Sequence, residues 1–311
     1  MGKSLSIIWD VTRLCPWDCN ICCMGAVRSA ECLKEEMSYM QKENVLQQMA
    51  QLKEAGWNLR LDLSGGEIMT NFEENMQLIS KASELLGKNQ VGLSASGYRI
   101  DKAAAQQLAA KVKDVELTLD CLSDVEYPLR KPGYHVAAME AAQLLKMANV
   151  SVGIQTVLCR SNADRNILQN LLNWLCQNKI DEWSILRFFP KGRGKAYLDE
   201  MLSDEENRKM VKMIQELHKE IGGRKPKLSF HYLLPGHEKS TQICRCVKKS
   251  IGILPDGRVT ACFWALDDAM GLEDDKFLLG NVTTHTLEDI LGGSKAMYWT
   301  ACVHGCELVC A

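Results

Sequence analysis

Short apolar runs recur along the first 230 positions, each followed by a longer stretch whose apolar residues fall at helical spacing. Six runs read as strands: 4–12, 59–64, 91–96, 115–121, 150–158 and 183–189. Between them Val45, Met49 and Leu52 mark one helix, stopped by Gly56, and Ile167, Leu168, Leu171 and Leu175 mark another. Ser203 with Glu206 forms a capping box that opens a helix on Met210, Ile214, Leu217 and Ile221. Six βα units in succession predict an α/β fold with a parallel sheet wrapped by helices.

A parallel strand covered on both faces reads almost continuously apolar. Here Asp10, Arg60, Asp62, Thr118, Asp120 and Arg187 interrupt the strands, mostly at period two. Charges so placed predict a polar interior in which cofactor and substrate would lie. The competing reading pairs some of them purely for structure, Asp120 with Arg187 in particular.

From residue 225 the pattern changes. Pro226, Pro235 and Gly236 punctuate a linker, and cysteines return at positions 244, 246, 262, 302, 306 and 310. Pro255-Asp256-Gly257-Arg258-Val259 reads as a hairpin turn with Asp-Gly at its tip. Two domains are expected, residues 1–224 and a small cysteine-dense unit over 225–311.

The net charge of −2 in 311 residues gives no basic surface for nucleic acid or anionic lipid. No apolar run reaches membrane-spanning length and no signal-peptide core opens the chain, so a cytoplasmic protein without a membrane partner is expected. In that setting fourteen cysteines read as metal ligands rather than disulfides.

The most informative cysteines follow the first strand. Cys15-Pro16-Trp17-Asp18-Cys19-Asn20-Ile21-Cys22 has C-x3-C-x2-C spacing, unlike the paired C-x2-C of structural zinc. Three thiolates on a [4Fe–4S] cube, which normally takes four ligands, leave one iron open to a small molecule. Three merely buried cysteines are the bland alternative. Ser64-Gly65-Gly66-Glu67 ends the second strand, where a glycine pair lets the backbone approach a ligand closely. Alone, that sequence is most often just a turn.

Together these motifs resemble the radical S-adenosylmethionine (SAM) superfamily. The resemblance implies a partial (βα)6 TIM-like barrel, a catalytic [4Fe–4S] cluster on Cys15, Cys19 and Cys22, and reductive cleavage of SAM to a 5′-deoxyadenosyl radical. It implies that Ser64, Gly65, Gly66 and Glu67 hold the methionine end of the cofactor, with Ser94 and Ser96 as further contacts. Leu117 to Asp120, Leu129-Arg130, Pro132-Gly133, Gln155-Thr156-Val157 with Asn162, and Lys191-Gly192-Arg193-Gly194 look like regions that hold ribose and adenine in the peptide-modifying branch. Asp120, Gln155 and Arg187 are the chosen cofactor- or substrate-facing residues.

The C-terminal cysteines resemble a shortened SPASM, or twitch, auxiliary-cluster domain. Six cysteines cannot supply the eight ligands of two closed [4Fe–4S] clusters. One auxiliary cluster is expected, on Cys262, on Cys244 or Cys246, and on two of Cys302, Cys306 and Cys310. Two clusters with open or non-cysteine sites, or a zinc ribbon, are the alternatives.

Cys23, Cys32, Cys121, Cys159 and Cys176 remain, by default small buried hydrophobes. Cys121 and Cys159 fall at strand ends, where barrel active sites lie, and are candidate catalytic hydrogen-atom donors or covalent partners of an intermediate. His135 and His304 read as surface or capping residues. The resemblance leaves two substrate classes: a ribosomally made peptide undergoing crosslinking, thioether formation or epimerisation, or a small alcohol or sugar undergoing dehydrogenation. The SPASM-like tail favours the peptide; the short one-cluster domain and the Cys244–Cys262 spacing suit the small molecule. An external electron donor such as flavodoxin or ferredoxin is implied. Because the barrel begins almost at residue 1, a separate leader-binding protein, or direct docking of the leader on the barrel, would also be needed. A mere iron–sulfur electron carrier leaves Gly65-Gly66-Glu67 unexplained.

Overall fold

The structure, a computed structural model, describes residues 3–29, 31, 35–123, 127–239, 244–266, 272, 274–302 and 305. Strand and helix alternate as the pattern predicts: β1 (Ser4–Asp10), α1 (Tyr39–Glu54), β2 (Asn58–Ser64), α2 (Phe72–Leu86), β3 (Val91–Ala95), α3 (Lys102–Lys111), β4 (Asp114–Thr118), α4 (Tyr134–Met147), β5 (Ser151–Leu158), α5 (Arg165–Gln177), β6 (Glu182–Arg187) and α6 (Asp204–Glu220). All six read strands are present. The Ser203 capping box closes as expected, its hydroxyl accepting from the Glu206 amide.

A seventh parallel strand, β7 (Lys227–Phe230), follows α6 and pairs with β6. Its four residues lie between Pro226 and the next turns, in a stretch that reads as linker. Beyond it come β8 (Ser250–Ile253), β9 (Arg258–Thr260) and β10 (Leu278–Asn281), then α7 (Leu287–Gly292) and α8 (Ser294–Ala301). The Asp256-Gly257 hairpin joins β8 to β9 in antiparallel pairing. β8 also pairs with β1 in parallel, Ser6 opposite Ser250 and Trp9 opposite Ile253. One ten-stranded sheet results, in the order β10-β9-β8-β1-β2-β3-β4-β5-β6-β7.

The period of two sorts each strand into two faces. Leu5, Ile7 and Trp9 of β1, Leu59, Leu61 and Leu63 of β2, and Val115 and Leu117 of β4 are buried in the core under the helices. The other parity carries the polar set. Arg60 donates to Asp62 at 2.6 Å and to Asp114, and Gln155 donates to Glu116. Burial, with Asp62 and Asp114 adding their charge, pushes Glu116 up to about 7. Lower in the barrel these residues answer one another; the strand ends above them carry the site.

Arg187 departs from its expected place. It has the parity of Trp183 and Ile185, the buried outward residues of β6, and its guanidinium reaches Asp204 at 3.2 Å and the Leu233 carbonyl at 3.3 Å. A one-residue difference in parity changes the face of a strand on which a side chain sits.

Candidate active site

At the end of β1 the chain turns into the loop that carries Cys15, Cys19 and Cys22. This loop docks on the end of β2: Gly66 N–H donates to the Thr12 carbonyl at 2.7 Å, and Glu67 N–H to that of Leu14 at 2.8 Å. Its two limbs are tied by Cys15 N–H to Val27 O and Val27 N–H to Arg13 O, both 2.9 Å. A Cβ on Gly66 would lie 2.5 Å from the Arg13 oxygen, and one on Gly65 2.6 Å from that of Thr12. The glycine pair is thus required by the cysteine loop itself, in addition to lining a cavity.

That cavity, about 130 Å³, is lined by Cys15, Cys19 and Cys22 with Trp17, Ser64, Gly65, Gly66, Ser94, Ser96, Thr118, Arg130 and Tyr134. The two N-terminal motifs and the serines that end β3 therefore meet on one wall.

Glu67 behaves differently from its neighbours. Its carboxylate is buried and does not line the cavity: Oε1 accepts from Met69 N–H at 2.9 Å, and Oε2 from the Ser96 amide at 2.8 Å and the Ser96 hydroxyl. Trp17 Nε1 in turn donates to Ser96 Oγ at 2.7 Å. A chain of hydrogen bonds links the cysteine loop, the end of β3 and the Gly-Gly turn. Burial raises the Glu67 carboxyl while these donors hold it back.

Asp120 is fully buried, accepting from Arg130 Nε at 2.7 Å and from Val157 N–H at 2.8 Å. Its partner is Arg130 rather than Arg187. Arg130 faces the cavity, with its guanidinium 5.0 Å over the Tyr134 ring. Gln155 is bonded to Glu116 and does not line the cavity.

Cys121 and Cys159 do not line it either. They sit in a separate apolar cluster with Ile21, Tyr127, Leu129 and Phe188. Cys121 Sγ lies 2.9 Å from the Ser123 carbonyl, and Cys159 Sγ accepts from the Tyr127 hydroxyl at 3.2 Å. Burial pushes Cys159 up to about 12. His135, read as a surface or capping residue, is fully buried beside Tyr127 and Tyr134.

In the C-terminal region Cys244, Cys246 and Cys262 converge. Cys246 is pushed up by thiol contacts with Cys244 and Cys262, while Cys262 is pulled down by its contact with Cys246. Cys302, at the end of α8, is buried. Cys32, His304, Cys306 and Cys310 lie outside the described residues.

The donor chemistry of the cavity fits an iron–sulfur cluster. Burial comes first in pushing Cys15 up to about 12, and the neighbouring Cys19 and Cys22 add to it. Cys19 is raised by burial and partly drawn back by Arg130. Thiols as desolvated as those of Cys15 and Cys19 become thiolates only where a metal centre supplies positive charge. Sequence reasoning missed Trp17 and Tyr134 as wall residues, and placed Arg130 in a region expected to hold ribose and adenine without choosing it as a contact. A tryptophan inside a short ligand loop and a lone arginine after an Asp-bearing strand were the available signals.

A parallel barrel with three thiols on the loop after its first strand, facing a Gly-Gly turn on its second, defines an iron–sulfur enzyme that binds a small cofactor. The radical SAM superfamily matches residues 9–169, just over half of the chain, and the protein belongs to that superfamily. The SPASM iron–sulfur cluster-binding domain matches residues 244–310. No curated protein matches the chain.

Solved structures share the fold. SuiB of Streptococcus suis, bound to precursor peptide SuiA, aligns with TM-score 0.74 and 17% identity over 99% of this chain and 73% of its own. Native anSMEcpe, with bound AdoMet and the Cp18Cys peptide, gives 0.70 and 19% over 97% and 84%. The protein is thus a radical SAM enzyme with a SPASM domain, whose cofactors are a [4Fe–4S] cluster, SAM and auxiliary iron–sulfur centres. Among the described residues no helix is long and apolar enough to cross a membrane.

Proposed function

We propose that the enzyme modifies a ribosomally made peptide by radical chemistry begun at Cys15, Cys19 and Cys22. The observation that carries this reading is the shared wall on which those thiols, the Gly65-Gly66 turn and Arg130 meet. When bound, the cluster and SAM supply a 5′-deoxyadenosyl radical able to take a hydrogen atom from an unactivated C–H bond.

The chain's own residues have distinct tasks in this reading. Cys15, Cys19 and Cys22 hold the cluster and leave one iron open. Ser64, Gly65, Gly66 and Ser94 form the wall for the amino-acid end of the cofactor. Arg130, oriented by Asp120, offers its charge to the cofactor carboxylate. Glu67 and Ser96 position that wall through Trp17. Cys244, Cys246, Cys262 and Cys302 hold one auxiliary cluster within the C-terminal unit, residues 225–311. Cys121 and Cys159 are assigned no transfer step, since their thiols are engaged in an apolar cluster.

A peptide substrate is supported by the neighbours of the same fold, SuiB and anSMEcpe, which are described with a precursor peptide and a peptide bound. An external one-electron donor such as flavodoxin or ferredoxin completes the system, with a separate leader-binding protein if the leader does not dock directly. A reducing cytoplasm suits the eleven described cysteines, none of which forms a disulfide.

The test uses reconstituted protein, dithionite and SAM. The wild type makes 5′-deoxyadenosine, and a Cys15→Ala/Cys19→Ala/Cys22→Ala variant folds, makes none, and keeps only its auxiliary iron. Nucleoside production by that variant would overturn the assignment of the three thiols. Short peptides encoded beside the gene are then incubated with the enzyme. A peptide that loses two hydrogens or takes deuterium from solvent supports the peptide reading. Turnover of an alcohol or sugar with no change in any peptide would replace it.

A further inference from the structure

The cysteine loop is gripped from behind by a residue outside the cysteine and Gly-Gly motifs. Arg193 follows β6, and its backbone N–H donates to the Cys22 carbonyl at 2.9 Å. Its guanidinium donates through Nε to the Cys19 carbonyl at 2.8 Å and through Nη1 to the Ala26 carbonyl at 2.7 Å. Asp18 Oδ1 stands 3.7 Å from Nη1. Gly192 is in the left-handed region at φ 55°, and a Cβ there would lie 2.4 Å from the Cys22 oxygen. Segment 192–193 therefore lies directly against the loop.

The loop needs such a support. Between Cys15 and Cys22 it is neither helix nor strand, and unpaired buried carbonyls are costly. Arg193 satisfies the carbonyls of two of the three cysteine positions while those cysteines line the cavity. Its planar fork, with donors in fixed directions, holds the Cys19 and Ala26 carbonyls as a lysine could not.

We infer that Arg193 is a positioning residue that holds the loop of Cys15, Cys19 and Cys22 in its metal-binding shape before the cluster is inserted. The inference rests on the reading of those thiols as cluster ligands. In the full chain, Arg193→Gln removes the charge and the fork, and Arg193→Lys keeps the charge alone.

The first measurement is amide hydrogen exchange of the metal-free protein. In Arg193→Gln, segment 13–27 exchanges faster while 244–266 exchanges as in the wild type. The second is iron loss from the reconstituted protein to a chelator. Supporting groups around metal ligands typically contribute about 10–100-fold in metal affinity or activity, so the catalytic iron leaves about 10–100-fold faster. The third is the EPR spectrum of the reduced cluster with SAM bound, which shifts in Arg193→Gln; a residue that merely anchored the β6 loop would leave it unmoved. Arg193→Lys falls between the two in all three.

Wild-type exchange in segment 13–27 of Arg193→Gln, or equal acceleration in both segments, would overturn the inference. If Arg193→Gln does not fold, Arg193→Lys decides alone, and wild-type exchange and iron retention in it would equally overturn the inference. Absence of iron at this site in the wild type defeats the functional reading instead, and the metal-free exchange comparison still stands.

Discussion

Glu116 is a carboxyl in the interior of the barrel, paired with Gln155 and crowded by Asp62 and Asp114. Burial and those like charges push it from 4.5 up to about 7. A group whose folded pKa is raised contributes stability that is complete below its unfolded value and is lost as pH rises through the folded one. Ionising Glu116 therefore weakens the fold between about pH 4.5 and 7, by about 3 kcal/mol in full at the usual 1.36 kcal/mol per pH unit. Glu116→Gln, whose amide can still hydrogen-bond Gln155, should raise Tm at pH 8 markedly more than at pH 5. Calorimetry at the two pH values checks this, and an equal change at both would mean that Glu116 is not the titrating group. Glu67 teaches the complementary lesson. Both its oxygens bind within the protein, so its place in a cofactor motif reflects the shape of the wall and not a reach toward the ligand.

At the scale of elements, the end of β2 and the cysteine loop form one unit. Gly66→Ala would press a Cβ onto the Arg13 and Leu14 oxygens, and overpacking of this kind costs about 1–3 kcal/mol. Protein carrying it should retain its far-ultraviolet circular dichroism, melt lower, and bind less catalytic iron than the wild type on reconstitution. Full iron binding with unchanged Tm would show that the loop yields without loss. The strands were legible because each buries one apolar face, which leaves a period-two record in the sequence. β7 left almost no record, since Lys227-Leu228-Ser229-Phe230 is shorter than the window in which a period can be read. Arg187 misled because its charge was weighed without its parity. The cysteine and glycine motifs could be read from spacing alone. The clasp of Arg193 and the bridge from Trp17 through Ser96 to Glu67 could not, because they join residues 174 and 79 positions apart.

For the whole molecule, the sheet is the unit that matters. Ser6 N–H donates to the Lys249 carbonyl at 2.9 Å, and β8 continues the ladder along β1 as far as Trp9. A chain ending at residue 239 would keep β7 yet leave the outer edge of β1 unpaired. Exposed edges with apolar strands behind them invite pairing between molecules. Such a protein should sediment as oligomers or precipitate, whereas a soluble monomer with wild-type Tm would show that β1 tolerates its bare edge.

The β1–β8 pairing also orders events during synthesis. The strand that leads into the cysteine loop leaves the ribosome well ahead of one of its two neighbours, which is not made until residue 250. Contacts so distant in sequence form late, because the closure of the long intervening chain must be completed first. Until then β1 has only β2 beside it, and the nascent protein passes through a period with an open seam next to Cys15, Cys19 and Cys22. A chaperone or iron–sulfur carrier that binds this protein would find its target there, in the interval before the last strands arrive.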